Sequence, residues 1–119
     1  MATMFLYARD VQGYPSDATV FSTNLYNVIL KSGSALSLTV PASYKVWMMQ
    51  VTVEPGKSAW IARNKTAQVP SISGVLSQTD SEMASCYYQY HKMVYANDVL
   101  SFVSSDTTAN LSIAFYALS

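Results

Sequence analysis

The sequence has few charged residues, few glycines and a single cysteine. Of its 119 residues, 12% are charged, the formal net charge is zero, and glycine and proline occur four times each. The one cysteine, Cys86, cannot form an internal disulfide, which is compatible with folding in a reducing cytoplasm. No segment approaches the roughly 18 apolar residues of a membrane-spanning helix, and the N-terminus lacks the regions of a secretory signal. The balanced charge also argues against a nucleic-acid partner.

Hydrophobic residues are abundant where charged residues are scarce. Half of the residues are hydrophobic, and the charged fraction is about half that of an ordinary soluble domain. A chain of this length forms one domain that buries roughly two-thirds of its unfolded surface. A sheet protein without net charge is poorly protected against self-association. We therefore predict a single domain over residues 1–119, part of whose surface is covered by other subunits.

Alternating apolar and polar residues predict an all-β fold. The last two segments, 99–103 and 111–116, alternate most regularly and are joined by a polar turn, as in half-buried antiparallel strands. Further strands are predicted at 4–9, 26–30, 35–40, 44–53, 59–62 and 87–95. Turn residues separate these segments, so we predict an antiparallel, jelly-roll-like β-sandwich of seven to eight strands. Jelly-roll and immunoglobulin-like strand orders both fit this count.

Several connections carry predictions of their own. Glu54–Lys57 reads Glu-Pro-Gly-Lys, which predicts a type II turn and a hairpin between its flanking strands. Residues 10–17 are predicted as a turn, and 63–81 as a long surface loop with a short strand near Val75. Residues 82–95 also fit a helical stripe; the tyrosines favour a strand over Tyr87–Tyr95, with a short helix before it as the alternative. The predicted core contains Trp47, Trp60, Leu100, Phe102, Ile113 and Phe115.

Residues suited to catalysis are sparse. Cys86 and His91 are the only thiol and the only imidazole. On one strand two positions five apart point to opposite faces, so the pair is not expected to meet directly, and a structural cysteine with a surface histidine is favoured over a catalytic dyad. Zinc requires three or four ligands, and the seven acidic residues lack the spacing of a calcium loop. No Gly-x-Ser-x-Gly motif or phosphate-binding glycine loop occurs. We expect no enzymatic activity, no cofactor and no bound metal.

Tyrosines are concentrated in the segment Tyr87-Tyr88-Gln89-Tyr90-His91. On a strand this order places rings on both faces, so one set is exposed or lies at an interface, where tyrosine is favoured. The predicted interface residues are Tyr87, Tyr88, Tyr90 and Met93. Sugar stacking by the same rings is an alternative, as is a plain structural role between core and solvent. The basic residues Lys57, Arg63 and Lys65 either contact an acidic neighbour or solvate a loop.

Three segments resemble small virion structural proteins of tailed bacteriophages. They are Val51-Thr-Val-Glu-Pro-Gly-Lys-Ser-Ala-Trp-Ile-Ala at 51–62, continuing to Pro70, Ala-Asn-Asp-Val-Leu-Ser-Phe-Val at 96–103, and Ala-Asn-Leu-Ser-Ile-Ala-Phe-Tyr at 109–116. In that group a Val-x-Pro-Gly turn, a Trp-Ile-Ala strand and an Asn/Gly-Asp-Val-Leu-Ser hairpin recur in compact β folds. The resemblance covers about the C-terminal two-thirds of the chain. The N-terminal third departs from the pattern.

This resemblance implies a binding protein with no active site. Such proteins are typically capsid decoration (cement) proteins, often trimeric jelly rolls, or small components of tails and fibres. It implies a protein made in the host cytoplasm and located in the virion, forming a homotrimer that binds the major capsid protein or another virion protein. A carbohydrate-binding or adaptor module of a tail or fibre, with a glycan as ligand, is the alternative.

Overall fold

Ten β-strands make up the regular structure of the described part of the chain. The computed structural model describes residues 2–4, 7–9, 12, 15–19, 21–70 and 78–119. The strands are β1 (Tyr7–Arg9), β2 (Pro15–Thr19), β3 (Asn24–Lys31), β4 (Leu36–Thr39), β5 (Val46–Val53), β6 (Ser58–Arg63), β7 (Ser81–Ser85), β8 (Tyr90–Tyr95), β9 (Val99–Val103) and β10 (Thr108–Ala117). Over these residues no helix is long and apolar enough to cross a lipid bilayer.

Eight of the strands form two antiparallel sheets of four. The first sheet has the order β3-β10-β5-β8 and the second has the order β4-β9-β6-β7, while β1 and β2 pair with each other. Inward-facing apolar residues of both sheets form one buried cluster between them. The prediction of an all-β antiparallel sandwich is confirmed.

The strand pairs are nested within one another. β3 pairs with β10, β4 with β9, β5 with β8, and β6 with β7, so that the eight strands form one long hairpin rolled over on itself. The roll is closed by two more pairings, β10 with β5 and β9 with β6. Among β3 to β10, every connection except β6–β7 crosses from one sheet to the other. This is the strand order of a jelly roll, which the sequence left open.

The Glu54–Lys57 turn forms as predicted, but the hairpin around it is wrong. Gly56 has a φ of 79°, and the Lys57 N–H donates to the Glu54 carbonyl at 3.1 Å, as a type II turn requires. The flanking strands β5 and β6 nevertheless belong to different sheets. Both carry an apolar row, and the two rows, which include Val51 and Ile61, face each other across the core. The turn is therefore an arch between sheets.

Two other local predictions are also wrong. Strand β2 begins at Pro15, inside the predicted turn at 10–17. Residues Ser81–Ser85 form strand β7, where the sequence predicted the end of a loop and left a short helix open as a possibility. The strand predicted at Tyr87–Tyr95 begins only at Tyr90. The physical reason is that β7 pairs with β6 while β8 pairs with β5, so the chain must change sheets at 86–89. The short strand predicted near Val75 lies outside the described residues.

Most of the predicted core residues are buried in the main core. Trp47, Leu100, Phe102, Ile113 and Phe115 are at most 2% exposed. Trp60 is the exception, because Ala59 and Ile61 point inward on β6 and Trp60 therefore points outward. It is half-buried against a small outer cluster formed by Ala62, Ala67 and Val103.

A buried carboxylate holds one end of the sandwich together. Asp98 accepts hydrogen bonds from Arg63 Nε at 2.7 Å, from the Tyr95 N–H at 2.9 Å and from Asn64 Nδ2 at 3.2 Å. Burial disfavours the charged form of Asp98, but these hydrogen bonds and the Arg63 charge outweigh burial and hold its pKa below the usual value. The Asp98 backbone also accepts from the Val40 N–H at 2.8 Å. Three connections between strands thus meet at one residue, Asp98.

Candidate interaction surface

Three connections are cross-linked at the opposite end of the sandwich. The Gly56 N–H contacts the Cys86 Sγ at 3.4 Å, and Lys57 Nζ donates to the Thr108 carbonyl at 2.7 Å. The Ser58 N–H donates to Asp106 Oδ2 at 3.1 Å. These contacts join the β5–β6, β7–β8 and β9–β10 connections. Side chains exposed at this end therefore project from turns that are held in place.

Tyr87 and Tyr88 project from this end. They occupy the turn between β7 and β8 and are 80% and 74% exposed. Their turn borders a depression of about 240 Å³. Polar side chains of its lining include Gln50, Gln89 and His91. Two of the four predicted interface residues therefore lie together, on a turn instead of a strand.

Tyr90 occupies a different environment. It is half-buried against the core, and its hydroxyl donates to Glu82 at 2.9 Å. Lys92 reaches the same carboxylate at 2.9 Å, so Glu82 of β7 is joined to both β8 side chains. Burial, followed by the Glu82 hydrogen bond and charge, raises the pKa of Tyr90 far above its usual value. Tyr90 thus bridges the edges of the two sheets instead of extending the exposed tyrosine pair.

Met93 lies on the outer face of the first sheet. It is 58% exposed and sits opposite Met48 of the neighbouring strand β5. Tyr95, two residues further along β8, is also exposed. The same face carries two exposed apolar residues on β3, Leu25 and Ile29, which the sequence analysis missed. The available signal was their spacing of four residues, which places both on one face of a strand.

Cys86 and His91 both line the depression beside the tyrosine turn. Cys86 lies in the turn before β8, so the premise that both residues share a strand is wrong. The Cys86 Sγ accepts its hydrogen bond from the Gly56 N–H, and His91 is exposed on the outer side of β8. Within the described part of the chain, no hydrogen bond links the Cys86 thiol to the His91 imidazole.

The three basic residues singled out from the sequence bind partners within the chain. Arg63 pairs with Asp98, Lys65 pairs with Asp80 at 3.1 Å, and Lys57 donates to a backbone carbonyl. The Arg63 guanidinium also lies 5.2 Å from the centre of the Tyr95 ring. These basic side chains therefore stabilise loops and strand ends of the same chain.

Comparison with protein-family models, with curated proteins and with solved structures finds no match. Among the described residues, no group of three or more His, Cys, Asp or Glu side chains is placed to hold a metal ion. Exposed apolar and aromatic side chains are the feature of the described surface from which a binding role can be argued, since large apolar patches on a protein surface commonly mark binding sites.

Proposed function

We propose that the protein is a structural component of a tailed-bacteriophage virion, namely a capsid decoration protein that self-associates and binds the particle without catalysing a reaction. The observation that carries the proposal is the set of large apolar side chains exposed on a charge-poor jelly roll. The set includes Leu25, Ile29, Tyr87, Tyr88, Met93 and Tyr95, each more than 40% exposed. Such side chains are stabilised by burial against other subunits.

The architecture suits a protein that works by contact alone. Jelly rolls occur in viral capsid proteins as well as in lectins. Apolar burial contributes roughly 25 cal/mol per Å², and a modest contact repeated over many copies gives high avidity. The cross-linked turns beneath Tyr87 and Tyr88 reduce the ordering cost of binding through these rings. The resemblance of residues 51–70, 96–103 and 109–116 to virion proteins supports the same role.

The proposal predicts a homotrimer with affinity for capsids. Light scattering on a sizing column should give three times the 13.1 kDa of one chain. The protein should sediment with expanded, undecorated capsids of tailed bacteriophages. The double variant Tyr87→Ser/Tyr88→Ser should bind at least about thirtyfold more weakly, because an interface aromatic is commonly worth about 1–2 kcal/mol and two are removed.

Phe21→Ser provides the matched control for that variant. Phe21 is 91% exposed and lies outside the β7–β8 turn, so its loss should leave capsid binding unchanged. A monomer that fails to sediment with any capsid would contradict the proposal. If the control and the double variant lose equal amounts of capsid affinity, the tyrosine turn is not part of the contact with the capsid.

A carbohydrate-binding module of a tail or fibre is the second candidate. The observation that favours it is the polar depression beside two exposed tyrosine rings, since sugars bind by stacking on rings and hydrogen bonding to amides. It predicts saturable glycan binding that Tyr88→Ala abolishes and Tyr88→Phe retains, because phenylalanine keeps the stacking surface. The measurement is a broad glycan array followed by titration. A blank array would eliminate this candidate.

A further inference from the structure

We infer that the open edge of β3 is self-complementary, and that two copies of the chain pair through it about a two-fold axis. The pairing joins the first sheet of one copy to the first sheet of the other, giving one sheet of eight strands. This inference rests on the proposed self-association and gives it a particular strand and register. This two-fold contact between β3 edges, the seam, is compatible with a homotrimer, because three such seams can join two trimers into a closed assembly of twice the trimer mass.

Strand β3 is an edge without the usual protection against pairing. Among the described strands β10 is its only neighbour, and their register runs without a bulge over eight residue pairs. The strand Asn24-Leu-Tyr-Asn-Val-Ile-Leu-Lys31 contains no proline, and its single charge is at the end. Exposed edges of natural proteins commonly carry charges, prolines or bulges that prevent strand addition.

One hydrogen bond determines which backbone groups face outward. The Ser32 N–H donates to the Thr107 carbonyl at 3.3 Å, across the pairing of β3 with β10. Bonded and non-bonded positions alternate along an antiparallel pair. Even-numbered residues of β3 therefore bond to β10. Leu25, Asn27 and Ile29 direct their N–H and C=O groups towards the open edge.

The exposed side chains select one register. Leu25 and Ile29 lie on the outer face and are 51% and 60% exposed. With the two-fold axis at Asn27, Leu25 of each copy lies opposite Ile29 of the other, on the same face of the sheet. Moving one strand by two residues, the smallest shift that keeps the hydrogen bonds, places Leu25 opposite Asn27 or Lys31 and Ile29 opposite Thr23 or Asn27. In this register the pairing ends at Leu25 and Ile29, because the N–H of Thr23, which would come opposite Lys31, already donates to Thr3 Oγ1 at 2.8 Å. Lys31 therefore meets no like charge.

The core-facing side of this edge is also open. Tyr26 of β3 contacts Phe115 yet is 37% exposed, and Leu36 of β4, which pairs with Phe102, is 43% exposed. At the other side of the sandwich, Glu82, Tyr90 and Lys92 bridge the edge strands β7 and β8. A second copy on β3 would cover Tyr26 and Leu36 as well as the outer pair. We therefore assign a second copy of this chain as the partner that pairs with this edge.

Disulfide trapping tests the register directly. In a Cys86→Ser background, Asn27→Cys places two thiols on the axis, at a Cα separation of about 5.5 Å, which lies within the range that disulfides span. Mild oxidation of a concentrated sample should convert most of the chain to a covalent species of twice 13.1 kDa on a non-reducing gel. Thr52→Cys in the same background is the control, since Thr52 is exposed on the same face but two strands away from the edge.

Charge at the edge provides a second test. As the protein concentration increases, the wild-type mass should rise towards twice its dilute value. Leu25→Lys/Ile29→Lys sets lysines opposite lysines and should abolish this doubling, whereas Thr52→Lys should retain it. Mixing the lysine variant with Leu25→Glu/Ile29→Glu should restore the doubling.

These results separate the seam from the proposed function. Trapping of Asn27→Cys no faster than Thr52→Cys would overturn the seam, even if the protein is a trimer that binds capsids. Efficient trapping by a protein without affinity for capsids would retain the seam and overturn the decoration role.

Discussion

Replacing Phe115 by alanine should lower the free energy of unfolding by about 3–5 kcal/mol, the usual cost of removing a buried aromatic ring. Phe115 is completely buried on β10, between two other rings. Its ring centre lies 5.8 Å from that of Tyr26 and 6.3 Å from that of Trp47, both in edge-to-face geometry. Trp47 in turn meets the Tyr44 ring at 5.8 Å. Alanine would leave a cavity where the two sheets meet and would remove both ring contacts.

The measurement is urea unfolding, with the midpoint falling and the slope unchanged. Phe21→Ala is the matched control, because it makes the same chemical change at a site that is 91% exposed. Its effect should stay within about 0.5 kcal/mol. If the two variants differ by less than about 1 kcal/mol, Phe115 does not occupy the packed position described above.

The second large effect concerns Asp98. Asp98→Ala should cost about 2–3 kcal/mol at neutral pH, because hydrogen bonds to a charged group are worth about 1.5–3 kcal/mol and three donors lose their acceptor. Arg63 is half-exposed and can be solvated, which limits the loss. The measurement is again the urea midpoint. Asp80→Asn, which removes the exposed carboxylate paired with Lys65, should have a much smaller effect.

The pH dependence of this effect follows from the direction of the pKa shift. Because the folded-state pKa of Asp98 is lowered, its carboxylate stabilises the fold fully above the unfolded value of about 3.9. That stabilisation is lost as the pH falls through the folded-state pKa. The difference in stability between wild type and Asp98→Asn should therefore be constant near neutrality and shrink below about pH 4. A difference that grows on acidification would contradict this assignment.

The sequence could predict which residues face inward because a strand has a period of two. Trp47 and Met49 on β5, like Ile113 and Phe115 on β10, recur at every second position and are all buried. The same period cannot tell which sheet a strand joins. The turn at Glu54–Lys57 has the local geometry of a hairpin turn, yet it links two sheets, because the choice depends on pairing with β8 and β10 far along the chain.

The candidate surface could be predicted only in part for the same reason. Tyrosine content identified the segment around Tyr87, but its exposure depends on where β8 begins, and that is fixed by the register of Tyr90 with Val51. Tyr90 faces inward because of this register and bonds to Glu82 of the other sheet. Leu25 and Ile29 went unnoticed because sequence does not reveal that β3 is an edge strand.

The nested pairing also constrains the order of events during synthesis. β10 fills the position between β3 and β5, and β9 fills the position between β4 and β6, yet both leave the ribosome after the strands they separate. Neither sheet can close until they emerge, and pairing between such distant segments is intrinsically slow, on the order of milliseconds to seconds. The nascent chain meanwhile presents unpaired apolar strands, β3 among them. A chaperone that shields β3 until β10 is available for pairing would thus favour folding over aggregation.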